Sequence, residues 1–164
     1  MQKPLKNYAY IDGANLHKGI SSQGWVLDYR RFRRWLKEKH AVQEAYLFIG
    51  LIPKYATLYK LLQEAGFILV FKEVVYDGDG KPKGNCDADL VLQVTRDHFE
   101  KKCERAVIVT SDGDYASLIK MLLEREVLEV VLSPSQEKTC SILLKKTGAR
   151  ITYIAHIRAL VECR

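Results

Sequence analysis

The sequence predicts an α/β fold, a three-layer α/β/α sandwich with a mostly parallel central sheet. Six short strand-like apolar runs alternate with helix-like segments along the chain, which is the pattern of βαβ units. No linker, internal repeat or low-complexity segment interrupts the 164 residues. A chain of this length buries a sizeable core by itself. We therefore expect one domain that covers residues 1–164.

The elements follow from apolar spacing and from glycine and proline positions. The predicted strands are residues 8–12, 44–50, 67–76, 105–110, 128–133 and 150–154. The predicted helices are residues 28–40, 53 to about 66, 87–102, 114–125 and part of 134–146. Phe32 and Leu36 lie on the apolar stripe of the first helix. Pro53 suits the first turn of the second helix and Gly66 its end. Residues 77–85, rich in glycine and lysine, are predicted to be a loop.

The composition excludes several classes of protein. With 48% hydrophobic and 28% charged residues, it is ordinary for a soluble globular protein. No apolar stretch is long enough to span a membrane, and the polar start of the chain lacks the core of a signal peptide. The four cysteines stand alone, without a C-x-x-C pair, which argues against a zinc site or disulfides and for a cytoplasmic location. The net charge of +6 favours an anionic partner.

Acidic residues follow predicted strands or begin predicted helices at three places. The first motif is Asp12-Gly13-Ala14-Asn15, after the first strand. The second is Lys83-Gly84-Asn85-Cys86-Asp87-Ala88-Asp89, at the start of a helix. The third is Ser111-Asp112-Gly113-Asp114, after the fourth strand. In parallel sheets, ligands bind beyond the carboxyl ends of the strands, so the three motifs are expected at one edge.

Each motif alone is explained by helix capping, since Ser, Asp and Asn are good N-caps and acids favour a first helical turn. Three motifs at one edge favour a second interpretation. Carboxylates that lie close together repel each other, and a divalent cation relieves that repulsion. Oxygen ligands without His or Cys suit Mg²⁺ or Mn²⁺. We expect Asp12 and Asp112 within ~8 Å of each other, a span that one or two such ions bridge.

The three motifs resemble those of NYN domains, in particular the LabA-like branch of the PIN-like ribonuclease superfamily. The similar segments are Tyr10-Ile11-Asp12-Gly13-Ala14-Asn15-Leu16, Lys83 to Leu90, and Val109-Thr110-Ser111-Asp112-Gly113-Asp114-Tyr115. Their order and spacing match the family from about residue 7 to residue 155. The resemblance implies a PIN-like fold and a Mg²⁺- or Mn²⁺-dependent site that cuts RNA.

The resemblance also implies roles for individual residues. Asp12, Asp87, Asp112 and Asp114 match metal ligands, the last at a second metal or its water. Asn15 matches a residue that orients Asp12 or the scissile phosphate, and Asp89 one that supports the ligands without touching the metal. Ser111 replaces the usual glycine before the third-motif Asp and offers a hydroxyl donor to a phosphate. Gln93 occupies a position that is acidic in some relatives, which would leave the second metal weakly held.

Such a site implies phosphodiester hydrolysis by two metal ions about 4 Å apart, which activate water and stabilise the leaving oxygen. Because water is the nucleophile, the expected products carry a 5′-phosphate and a 3′-hydroxyl. Substituting Asp12 or Asp112 with Asn is expected to abolish metal-dependent cleavage.

The basic residues fit an RNA partner. Lys81 and Lys83 precede the second acidic motif, and Lys138 lies near the last helix, so each is a candidate for phosphate contacts. A solvated surface is the alternative for any single lysine. The arginines of 30–34 alternate with core-spaced aromatics, which favours packing with a basic outer face over base stacking. The resemblance further implies a homodimer, and no organic cofactor or membrane partner is expected.

Three other interpretations compete with the nuclease. A haloacid-dehalogenase-type phosphotransferase needs an acid two residues after Asp12, where Ala14 stands. A Toprim-type domain pairs its D-x-D with an upstream Glu, and here Asp12 occupies that strand end. The third is a non-catalytic RNA- or protein-binding module on the same fold, which Gln93 alone favours.

Overall fold

A six-stranded parallel sheet forms the centre of the structure. A computed structural model describes residues 6–51, 55–83 and 86–164, without the side chains of residues 51, 82 and 83. The strands of the sheet are β1 (Asn7–Asp12), β2 (Val42–Leu51), β3 (Phe67–Glu73), β6 (Ala106–Val109), β7 (Leu128–Ser133) and β8 (Ile151–Tyr153). The strand order is β3-β2-β1-β6-β7-β8, and every neighbouring pair is parallel. The predicted α/β class and its six-stranded parallel sheet are confirmed.

Helices cover both faces of this sheet. They are α1 (Gly13–Ser21), α2 (Tyr29–His40), α3 (Ala56–Glu64), α4 (Asp87–Phe99), α5 (Ala116–Glu124), α6 (Ile142–Lys145) and α7 (Arg158–Val161). Successive strand residues point to opposite faces, so Ile11 of β1 packs in one core with α1, α2, α3 and α7. Tyr10 packs in the other core with α4, α5 and α6. The three predicted layers follow from this alternation.

The strand predicted over residues 67–76 is divided in two. β3 ends at Glu73, and the chain turns into a hairpin of β4 (Val75–Tyr76) and β5 (Pro82–Lys83), which pair antiparallel. The Asp77 carboxylate causes the turn, since its Oδ1 accepts the backbone N–H groups of Asp79 and Lys81, each at 2.9 Å. Gly80 completes the turn at φ +76°, a conformation that favours glycine.

Other boundaries also differ from the prediction. Helix α1 begins at Gly13, where the sequence indicated a break. Helix α4 ends at Phe99 rather than at residue 102, and α5 begins after a 3₁₀ turn at Gly113–Tyr115. Pro53, the predicted start of α3, lies outside the described residues. Helix α7 has no counterpart in the prediction.

The topology places a crevice beside β1. Strand β1 pairs with β2 on one side and β6 on the other, and the chain order runs outward from it in both directions. In such sheets the switch point, at the carboxyl ends of the two central strands, is where ligands bind. Ile11 pairs with Val109 in the register, so Asp12 and the residues after Val109 leave the sheet side by side.

The structure also shows the state of the cysteines and the character of the helices. All four cysteines are free. Among the described residues, no helix combines the length and apolar character needed to cross a membrane.

Candidate metal centre

Asp12 occupies the junction of β1 and α1. Its side chain caps the helix by accepting the Asn15 N–H at 3.1 Å, and it is 9% exposed. Gly13 follows because the helix start lies against β2. A Cβ there would lie 2.7 Å from the Phe48 carbonyl oxygen and 2.9 Å from Leu47 Cδ2. The close approach fixes Asp12 at the floor of the crevice.

Asp112 leaves the neighbouring strand in a similar way. Its backbone N–H donates to Thr110 Oγ1 at 3.1 Å, and its carboxylate accepts the Asp114 N–H at 2.9 Å, capping the 3₁₀ turn. Gly113 is required by packing: a Cβ there would collide with Ser141 Oγ. The capping interpretation therefore holds for both Asp12 and Asp112, in addition to any role in binding.

Asp87 arrives from a helix rather than from a strand end. It is the first residue of α4, after the N-cap Cys86, and α4 packs across the sheet in the core that contains Tyr10. Within the described residues, one set of three metal-ligating side chains is found, and it is Asp12, Asp87 and Asp112. One carboxylate oxygen from each lies within 4.8 Å of the others. The expected proximity of Asp12 and Asp112 is confirmed.

Tyr115 joins two of the three carboxylates. Its buried hydroxyl lies 2.8 Å from Asp87 Oδ1 and 3.2 Å from Asp12 Oδ2, and it is the donor toward both. Burial and the two carboxylates raise the pKa of Tyr115 well above its usual value, so the hydroxyl keeps its proton. Tyr115 stands in the third motif, but the sequence predicted no role for it.

The electrostatics of the cluster centre on Asp12. Burial raises the pKa of Asp12, and the charges of Asp87 and Asp112 raise it further, while the hydrogen bonds from Asn15 and Tyr115 act in the opposite direction. Burial, with the nearby Asp12, also raises the pKa of the Cys86 thiol to about 11. Cys86 is therefore a neutral neighbour of the site rather than a thiolate.

Asn15 and Ser111 hold the two strand ends together. Asn15 Oδ1 accepts the Ser111 N–H at 2.9 Å and lies 3.1 Å from Ser111 Oγ. Ser111 Oγ is also 2.8 Å from Ser135 Oγ. The Asn15 carboxamide thus ties the start of α1 to the end of β6, and the Ser111 hydroxyl is directed at Asn15 and Ser135.

The other predicted acids lie outside the three-carboxylate set. Asp114 is exposed and lines the same cleft. Asp89 is exposed and forms an ion pair with Lys72, Nζ to Oδ2 3.8 Å, in a neighbouring groove. Gln93 donates to Oδ1 of buried Asp97 at 3.0 Å, and the structure brings neither Gln93 nor Asp89 into the cluster.

The predicted lysines are dispersed. Lys81 is exposed in the hairpin turn, the side chain of Lys83 lies outside the described part, and Lys138 lines a separate cavity. The acidic cleft itself has a volume of about 480 Å³. Its walls include His17 and Lys18 of α1, and Lys18 is a cation that sequence reasoning missed.

A parallel six-stranded sheet with acidic side chains gathered at its switch point defines a PIN-like α/β protein. The model of the NYN domain family matches residues 8–154, and the chain belongs to this family. NYN domains are part of the PIN-like nuclease superfamily, so the family named by the sequence motifs is confirmed. The finer assignment to the LabA-like branch stays a prediction.

A solved structure supports the same fold. The crystal structure of a protein of unknown function from Vibrio parahaemolyticus is similar, with a TM-score of 0.73 and 21% sequence identity over 94% of this chain and 96% of that one. At this identity the likeness concerns the fold alone. No curated protein matches the sequence at a significant level.

Proposed function

We propose that this chain is a divalent-metal-dependent ribonuclease that hydrolyses RNA phosphodiester bonds. The observation that carries the proposal is the convergence of Asp12, Asp87 and Asp112 within 4.8 Å. The three come from a strand end, a helix start and a loop that are far apart in sequence. Membership of a nuclease superfamily supports RNA as the substrate class.

The donor set fits Mg²⁺ or Mn²⁺. All three groups are carboxylates, without a His or Cys ligand, which disfavours zinc. Asp12 is buried, and the neighbouring charges of Asp87 and Asp112 disfavour its ionised form. A cation between the three oxygens would reverse that penalty. The cleft of about 480 Å³ leaves the site open to a phosphate from one side.

In this proposal Asp12, Asp87 and Asp112 hold the metal, and Tyr115 keeps two of them oriented. A bound Mg²⁺ or Mn²⁺ would lower the pKa of a coordinated water and offset negative charge on the phosphate. Asp114, exposed at the cleft, is proposed to bind a second metal or its water. With water as the nucleophile, the products carry a 5′-phosphate and a 3′-hydroxyl.

Cleavage of labelled RNA tests the proposal directly. Single-stranded and structured RNAs are incubated with the protein and Mg²⁺, Mn²⁺ or a chelator. We expect metal-dependent product, and a loss of more than ~100-fold in rate for Asp12→Asn and Asp112→Asn, since removing a group that only supports the metal ligands already costs about 10–100-fold. The matched control is Glu124→Gln, since Glu124 is exposed at the far end of α5 and loses the same charge.

The main alternative is a non-catalytic RNA- or protein-binding module on this fold. Gln93, the sequence feature that favoured it, is engaged with Asp97 rather than with the cluster. RNA binding without any metal-dependent product would contradict the nuclease and support the alternative. The predicted homodimer and cytoplasmic location stay predictions.

A further inference from the structure

A second cavity, of about 600 Å³, lies beyond β7 and β8. Its lining includes Gln136, Glu137, Lys138, Lys145, Tyr153 and His156, and we call it the β8 groove. It is formed by the segment from β7 to the end of α6, by the last residue of β8 and by the 3₁₀ turn that follows β8. Because both strands are parallel to β1, the β8 groove opens on the same edge of the sheet as the acidic cleft.

Hydrogen bonds fix the β8 groove relative to the acidic cleft. Ser135, directly after β7, lies 2.8 Å from the Ser111 hydroxyl, Oγ to Oγ. The Ser141 N–H at the start of α6 donates to the Ser111 carbonyl at 3.2 Å. Ser111 precedes Asp112, so the backbone that carries one metal-binding carboxylate also supports the groove.

The spacing suits a continuous RNA strand. From β6 to β8 there are two strand intervals, which correspond to roughly 10 Å. That distance is at most about three nucleotide steps, because the 3.4 Å rise of a stacked helical strand is shorter than a step of an extended single strand. An RNA whose scissile phosphate lies at the carboxylates therefore reaches the β8 groove within a few nucleotides.

The groove carries the chemistry that single-stranded nucleic acid requires. Lys138 is exposed, and the Lys145 ammonium donates to the Glu137 carbonyl, which holds it in place. In the described part of the chain neither lysine has a carboxylate ion-pair partner within 4.0 Å. The rings of Tyr153 and His156 line the same groove, with centroids 5.6 Å apart. A groove that combines cations with aromatic side chains is typical of single-strand binding.

Two other surfaces fit a strand less well. The groove on the opposite side of the acidic cleft contains Lys72 and Arg96, but also Glu73 and Asp89, so its charges balance. The basic surface of α2 is lined by Arg30, Arg33, Arg34 and Lys37. It lies at the amino edge of the sheet, since Arg33 donates to the carbonyl of Val42, the first residue of β2.

We propose that the β8 groove binds the single-stranded RNA that flanks the scissile phosphate. Lys138 and Lys145 contact phosphates there, and a base stacks on the ring of His156 beside Tyr153. This inference rests on the proposed function, because it assumes that the acidic cleft receives RNA. It makes single-stranded RNA, rather than a rigid duplex, the expected substrate.

Binding without catalysis tests the groove. The probe is a labelled oligouridylate of about 12 nucleotides, within the usual range for single-strand sites, titrated with a chelator present and at several salt concentrations. We expect Lys138→Glu with Lys145→Glu to weaken binding at least ~10-fold. The slope of log affinity against log salt should fall by about 1.4, since each lost contact with a single strand contributes about 0.7.

Two further variants complete the test. Arg34→Glu with Lys37→Glu makes the same charge change at the opposite edge, and we expect the salt slope to be unchanged. His156→Ala should weaken binding about tenfold through lost stacking, also with an unchanged slope. If the double variants at α2 and at the β8 groove reduce the affinity and the salt slope equally, RNA binding depends only on the net charge of the protein, and the proposed role of the groove is refuted.

Cleavage assays separate this inference from the proposed function. If the Lys138→Glu, Lys145→Glu variant binds and cuts RNA like the wild type, the proposed role of the β8 groove is wrong while the proposed nuclease activity stands. If the wild type binds RNA through these lysines but never forms a metal-dependent product, the proposed nuclease activity is wrong while RNA binding at the β8 groove stands. Melting temperatures within a few degrees of the wild type establish that each variant is folded.

Discussion

Replacing Tyr115 with Phe removes one hydroxyl and keeps the buried ring. That hydroxyl lies 2.8 Å from Asp87 and 3.2 Å from Asp12, and its raised pKa keeps it protonated. A hydrogen bond to a charged acceptor contributes about 1.5–3 kcal/mol. The single hydroxyl proton is shared between two carboxylates. We therefore expect the free energy of unfolding of the metal-free protein to fall by an amount within this range, rather than by twice as much.

The larger consequence of Tyr115→Phe concerns the metal. Groups that orient metal ligands typically affect affinity about 10–100-fold when they are removed. We therefore expect Mn²⁺ affinity, measured by titration calorimetry, to fall by that factor, with RNA cleavage at limiting Mn²⁺ falling in parallel. Excess Mn²⁺ should restore part of the rate, because the three carboxylates are still present.

The matched control is Tyr76→Phe, since Tyr76 is 60% exposed and lies on the β4–β5 hairpin. It should leave the melting temperature and Mn²⁺ affinity unchanged. A folded Tyr115→Phe protein with wild-type Mn²⁺ affinity would show that the hydroxyl does not orient the carboxylates, and the reasoning would fail.

Three other substitutions test the site and its supports. Burial raises the pKa of Asp12, so its ionised form destabilises the folded state. Asp12→Asn should therefore raise the melting temperature of the metal-free protein at pH 7, as measured by scanning calorimetry. No gain is expected at pH values below 3.8, the pKa of the carboxyl group in the unfolded chain. Gly113→Ala should lower the unfolding free energy by about 1–3 kcal/mol in urea titrations, because its methyl group meets Ser141 Oγ. Gln93→Glu should cost about 1–3 kcal/mol in the same assay, since buried Asp97 loses a donor.

Each of these three has a distinct contradicting result. The Asp12 prediction is contradicted if the gain in melting temperature of Asp12→Asn persists unchanged below pH 3.8. At such pH values the Asp12 carboxyl group of the wild type holds its proton in both the folded and the unfolded state. For Gly113, the contradicting result is wild-type stability of the alanine variant. For Gln93, it is a glutamate variant of wild-type stability with tighter Mn²⁺ binding, which would place residue 93 among the metal-holding groups.

The site was predictable from sequence because it depends on topology. Carboxyl ends of parallel strands meet at one edge, so the acids after β1 and β6 had to converge once the strands were identified. Asp87 comes from the start of α4 rather than from a strand end, so the sequence placed its motif at this edge, and the family resemblance gave it the role of a metal ligand. Asp89 lies in a separate groove, where it pairs with Lys72, because residues two apart on a helix point to different faces.

Some local structure was decided by tertiary packing or by side-chain turns. Helix α1 begins at Gly13 because Asp12 caps it, and the first residue is glycine because the carbonyl of Phe48 leaves no room for a Cβ. The apolar run from Phe67 to Tyr76 predicted one strand, but the Asp77 carboxylate closes a hairpin that ends it. Tyr115 was missed because nothing in its neighbours shows that its ring is buried between two acids.

The central position of β1 has a consequence for the order of assembly. β1 is the first strand in the chain, but one of its edges is completed only by β6, which begins at Ala106. Contacts of such long sequence separation form late, because a large loop must close first. Asp12 and Asp112 meet through the same pairing, so a nascent chain shorter than the β6 segment has no cluster of acids. The β1–β6 pairing and the cluster of acids thus form in the same step.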